Sequence, residues 1–73
     1  MSVNIQELQR EIDELSTEMA ACASRIIELR EHENPQAGIF HHQEIFSLQQ
    51  KKLRLQVEIE FRQKKMNRLA MEV

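Results

Sequence analysis

The chain has 73 residues, with 12 acidic and 10 basic side chains and a formal net charge of −2. That is room for one small domain and leaves little for an enzyme core with a substrate pocket. One Gly excludes a Gly-rich phosphate loop, a single Cys excludes an internal disulfide framework, and the charge balance excludes a strongly basic or acidic tail.

Residues 1–11 carry no basic start and no apolar run of a leader's length. No stretch approaches the ~18 apolar residues of a membrane span. The longest apolar run, residues 19–23, is mostly alanine. These features predict a soluble, cytoplasmic protein with Cys22 as a free thiol in a reducing compartment.

The first predicted element is a helix over residues 4–33. Asn4 is the expected N-cap, and Glu7 completes a capping-box pattern. Val3 and Leu8 have the spacing of a hydrophobic staple. Ile5, Leu8, Ile12, Leu15, Met19, Cys22, Ile26 and Leu29 then alternate spacings of three and four without a miss. That is the a/d seam of a paired helix over about 3.5 heptads. Ala20, Ala21, Ala23 and Ser24 flank Cys22, so the seam is thin there and admits a close neighbour. A thiol at such a position is expected to be packed and inert, in preference to a redox or metal role.

The turn is predicted at residues 34–38. Pro35 disfavours helix at Asn34, and Gly38 is the only glycine. Asn34 is alternatively the cap of a helix that begins at Pro35. A connection this short makes the flanking helices antiparallel.

The second predicted helix covers residues 39–71, with its last residues fraying. Residues 53–61 alternate apolar and polar strictly, which is the strand template. Their flanks hold no turn residues and are good helix formers, so helix is the reading. Wound at 100° per residue, the segment carries two apolar stripes. Ile45, Leu48, Leu55, Ile59, Met66, Leu69 and Val73 form one; Phe46, Leu53, Val57, Phe61 and Met71 form the other, nearly opposite. A hairpin covers one stripe, so the second calls for another chain.

Charge is divided between the halves. Residues 1–34 hold eight acidic and three basic groups, and residues 45–73 hold seven basic and three acidic. An acidic helix packed antiparallel to a basic one, with flanking charges setting the pairing, accounts for this without a partner.

Candidate chemistry is sparse. His41, His42 and Glu44 lie near His32 and Glu33 across the turn. Imidazole and carboxylate ligate zinc, but the spacing matches no ligand motif, so solvated turn residues are the expectation. No nucleophile–base arrangement is present and no enzyme activity is expected. No cofactor and no metal are called for. Lys51, Lys52, Arg54, Lys64, Lys65 and Arg68, with Arg62, form a cationic run able to track phosphates. Phe46 and Phe61 could stack on bases, but their place on an apolar stripe assigns them to packing.

The sequence therefore predicts an all-α protein: a single coiled-coil-like antiparallel helical hairpin over residues 1–73, assembling into a four-helix bundle homodimer. In length and layout it resembles the plasmid RNA-binding hairpin that dimerises into a four-helix bundle, and the small hairpin co-chaperones of type III secretion needle subunits. No residue motif carries across. The expected function is protein–protein contact, as an adaptor, assembly factor or small chaperone. Phe46, Leu53, Val57 and Phe61 would be the interface to a second copy or to a helical partner. The alternative is an RNA- or DNA-binding dimer using the basic edge of the second helix. No membrane partner is expected.

Overall fold

The computed structural model describes residues 4–72. Two helices, α1 (Ile5–Glu31) and α2 (His42–Met71), lie antiparallel and are joined through a single 3₁₀ turn, Pro35–Ala37. The hairpin measures 61 × 19 × 14 Å. Among the described residues, no helix is long and apolar enough to cross a membrane.

α1 starts where its cap is. Asn4 is extended, and its side-chain oxygen accepts a hydrogen bond from the Glu7 N–H at 2.7 Å, satisfying one of the free donors of the first turn. The staple expected between Val3 and Leu8 lies outside the described residues, as does Val73 of the first stripe. α1 ends at Glu31, two residues before the expected boundary. Pro35 explains the difference, because it holds Asn34 in an extended conformation (φ −133°, ψ 92°). The Glu33 side chain is used elsewhere: its carboxylate accepts from the His41 N–H at 3.1 Å.

The connection is a closed loop. Asn34 and Ile39 exchange both backbone hydrogen bonds at 2.9 Å. The Asn34 side chain caps the 3₁₀ turn by accepting from the Ala37 N–H. Gly38 reverses the chain at φ +71°, a left-handed conformation that costs a residue with a Cβ. Asn34 thus does cap a helical turn that begins at Pro35, but the turn is one of three residues. The expected start of the second helix at Ile39 moves to His42, because Ile39 is held by its paired bonds to Asn34. Residues 53–61, with their strand-like alternation, lie within α2.

The core is a single seam between the helices. Leu8, Ile12, Cys22, Ile26 and Leu29 of α1 are buried against Ile45 and Leu55 of α2. Ile26, Leu29 and Ile45 cluster near the turn, with Leu48 packed beside them. Leu15 and Met19 are half-buried and Ile5, at the open end, is exposed. From α2, Leu48, Ile59, Met66 and Leu69 are half-buried along the same line. Lys52 and Arg62 are half-buried too. They fill the seam positions between Leu48 and Leu55 and between Ile59 and Met66, with their aliphatic stems over apolar surface.

Candidate protein-contact interface

A helix turns about 100° per residue, so the alternation at residues 53–61 sends successive apolar side chains to opposite sides of α2. One set faces α1. The other set faces away: Phe46, Leu53, Val57 and Phe61 are 61%, 57%, 50% and 68% exposed. Met71 continues the outward line and is exposed. Exposed apolar residues are ordinary when scattered singly; a line of them at helical spacing is a patch.

Its surface is gently relieved. A shallow depression at its centre is lined by Val57, Glu60, Phe61 and Lys64. These residues have the i, i+3, i+4, i+7 spacing of the hole that receives a knob from a neighbouring helix. Phe61 also borders a groove toward α1, with Leu8, Glu11, Arg62, Lys65 and Arg68.

Two ion pairs join the helices, one toward each end. Near the turn, Arg25 of α1 donates to Glu44 of α2 at 3.3 Å and to Glu28 at 3.1 Å. Toward the open end, Arg62 of α2 donates to Glu11 of α1 at 3.0 Å and to Glu58 at 2.6 Å. The Arg25 guanidinium is held above its ordinary pKa, chiefly by its hydrogen bond to Glu28 and then by Glu44. Arg62 is raised chiefly by Glu58, against a smaller opposing effect of burial. A raised pKa means that both guanidiniums stay charged through the ordinary arginine range, so they remain cations wherever their carboxylate partners are ionised.

The charge division between the helices is largely unused inside the hairpin. Among the described residues, Arg62 is the one α2 cation paired with an α1 carboxylate, and the other cross-helix pair runs from an α1 cation to α2. The expected pairing of an acidic α1 with a basic α2 is therefore met at one point, Arg62 with Glu11, while Arg25 with Glu44 runs the other way. Lys51, Arg54, Lys64, Lys65 and Arg68 are exposed. Lys52 is half-buried, on the side of α2 that faces the seam. At 100° per residue, Lys51, Arg54 and Lys65 share one edge of α2, whereas Lys64 and Arg68 fall in line with the outward apolar stripe.

The histidines do not converge. The His32 ring nitrogen Nδ1 lies 2.7 Å from the Glu28 carbonyl. His41 is held through its backbone by Glu33, and the His42 ring stacks on Phe40 with centroids 5.0 Å apart. Among the described residues, no group of three or more His, Cys, Asp or Glu side chains is placed to hold a metal ion. Cys22 is buried at 4% exposure in the seam.

Three exposed apolar residues escaped the periodicity. Ile27 on α1 and Ile39 and Phe40 in the connection are each about half-exposed. Ile27 falls outside the three–four spacing, and that exclusion was itself the available signal. Ile39 and Phe40 lie in the connection, at positions that the sequence reads as the start of the second helix. Compared with protein-family models, curated proteins and solved structures, the chain matches none.

Proposed function

We propose that this chain is a non-enzymatic helical hairpin that works through protein–protein contact, as an adaptor, assembly factor or small chaperone. The observation that carries the reading is the outward line of Phe46, Leu53, Val57 and Phe61, each at least half exposed. Apolar side chains on a helix at this spacing are suited to helix-in-groove recognition, in which aromatic anchors contribute most of the binding energy. Packing of the opposite stripe against α1 leaves these side chains exposed.

The test is Val57→Glu, at the centre of the stripe. The variant is expected to keep the helical circular dichroism of the hairpin, because Val57 takes no part in the seam. It is expected to lose association, read as mass in solution and as capture of a partner. Association that survives the substitution removes the stripe as the contact surface.

A second reading has its own supporting observation. Lys51, Arg54, Lys64, Lys65 and Arg68 are exposed and, among the described residues, none is paired with a carboxylate. Such a surface suits phosphate contacts. It predicts binding to single-stranded RNA or duplex DNA that falls steeply with salt, and that is weakened by Lys51→Glu or Lys65→Glu. No binding at low salt removes this reading.

A further inference from the structure

The hairpin has more surface than its mass requires. It exposes 5910 Å² at 8.7 kDa, against roughly 4,700 Å² for a compact monomer of that mass. The excess is on the order of 1,200 Å², more than the ~800 Å² that each partner gives to a stable interface. A protein surface, not a small ligand, is what fits.

The spacing of the outward face says how a helical partner would lie. Phe46, Gln50, Leu53, Val57, Phe61, Lys64 and Arg68 step outward from Val57 by four, three and four residues in both directions. A spacing that reads the same from either end fits itself when the second helix runs the opposite way. We propose that α2 of a second copy covers this face, antiparallel, with a two-fold axis beside Val57. The proposal rests on the protein-contact reading above and names its occupant.

In that register Leu53 of one copy meets Phe61 of the other, and Val57 meets its own copy. The depression lined by Val57, Glu60, Phe61 and Lys64 receives Leu53 of the second copy. Phe46 meets Arg68, whose guanidinium then has an aromatic face to rest on.

Charge selects this arrangement over its competitors. The end of α2 over residues 62–68 carries Arg62, Lys64, Lys65 and Arg68, while residues 42–50 carry Glu44 and no Lys or Arg. Centred on Val57, antiparallel helices set Lys64, Lys65 and Arg68 level with Gln50, Gln49 and Phe46 of the second copy, while Arg62 comes level with Lys52, both half-buried on the side turned to α1. A parallel pair would set Lys64 on Lys64 and Arg68 on Arg68 within the seam. An antiparallel pair centred nearer residue 53 would oppose Arg54 to its own copy, because in antiparallel helices each flank faces the same flank of the other. Centred on Val57, Arg54 comes beside Glu58 of the second copy. The assembly is four helices, with the two copies of α2 inside and the two copies of α1 outside.

The experiment uses the full chain. Sedimentation equilibrium over a dilution series is expected to give twice 8.7 kDa. Leu53→Cys and Phe61→Cys are then made separately, at positions exposed in the hairpin, with folding checked by circular dichroism. Mixed and oxidised, the two variants are expected to yield a disulfide dimer of unlike chains, identified by mass. Leu53→Cys alone is expected to stay unlinked, as is the unmodified chain with its buried Cys22. Self-linking of Leu53→Cys overturns the register. A monomer at every concentration overturns self-association, and leaves the protein-contact reading to Val57→Glu and a different partner. A monomer that binds single-stranded RNA at low salt overturns it in favour of the basic edge.

Discussion

Phe61→Ala separates what the hairpin does for itself from what a partner does for it. Phe61 is 68% exposed. A phenylalanine buries about 200 Å² when fully covered. The third covered within its own chain, about 60 Å², contributes about 1.5 kcal/mol at ~25 cal/mol per Å². Residual compactness of the unfolded chain lowers that toward about 1 kcal/mol. The remaining area, about 140 Å², is worth about 3.4 kcal/mol to a chain that gains a partner. A two-fold dimer contains two such rings. With only half of that area covered at each, the substitution weakens the dimer by about 3.4 kcal/mol, roughly a 300-fold rise in Kd. The assay is thermal unfolding and sedimentation at several protein concentrations. At the lowest concentration, where the hairpin stands alone, the variant should lose about 1 kcal/mol. At the highest, the loss should be several times larger, and the dilution midpoint should move up. A loss that is the same at every concentration, with mass unchanged, would refute the reasoning. So would a loss well above ~2 kcal/mol in the isolated hairpin, since it would place the ring's contacts inside its own chain.

Two further outcomes follow from the connection and the cross-helix pairs. Gly38→Ala should destabilise by about 1 kcal/mol, seen as a lower Tm, because φ is +71° while no atom lies within 4 Å of the added Cβ; Gly38→Asn should cost less, since Asn tolerates this conformation. Arg62→Met keeps the half-buried stem and removes the contacts to Glu11 and Glu58. It should cost about 0.5–1 kcal/mol in low-salt thermal melts, and the difference from the unmodified chain should shrink in high salt.

The parts of the fold that are local were legible residue by residue. Asn4 caps α1 because its side chain reaches a donor three residues on, and no distant contact is needed. Pro35 and Gly38 mark the reversal because their backbone preferences belong to the residues themselves. The seam of α1 was readable because its three–four spacing is uninterrupted. The seam of α2 was only partly readable: Lys52 and Arg62 occupy apolar positions, and a charged residue type hides a stem that packs. The helix boundaries moved by two to three residues for a different reason, since Pro35 and the bonds across the loop set them. Glu33 and Ile39 are held by His41 and Asn34 across the loop, and such pairings carry no periodic signal.

The sequence by itself determined that there are two helices, where the chain reverses, and that α2 carries two opposed apolar stripes. It did so because capping, turn chemistry and helical periodicity act over a few residues. The tertiary structure alone decided which stripe α1 covers. Both are apolar, but the stripe of Ile45, Leu48, Leu55, Ile59, Met66 and Leu69 continues along the helix, with Lys52 and Arg62 stems closing its gaps, and so matches the full length of α1. The stripe of Phe46, Leu53, Val57 and Phe61 is shorter and gives way to Lys64 and Arg68 toward the open end, so it does not match the full length of α1. Packing against α1 took the continuous surface, and the interrupted one faces outward.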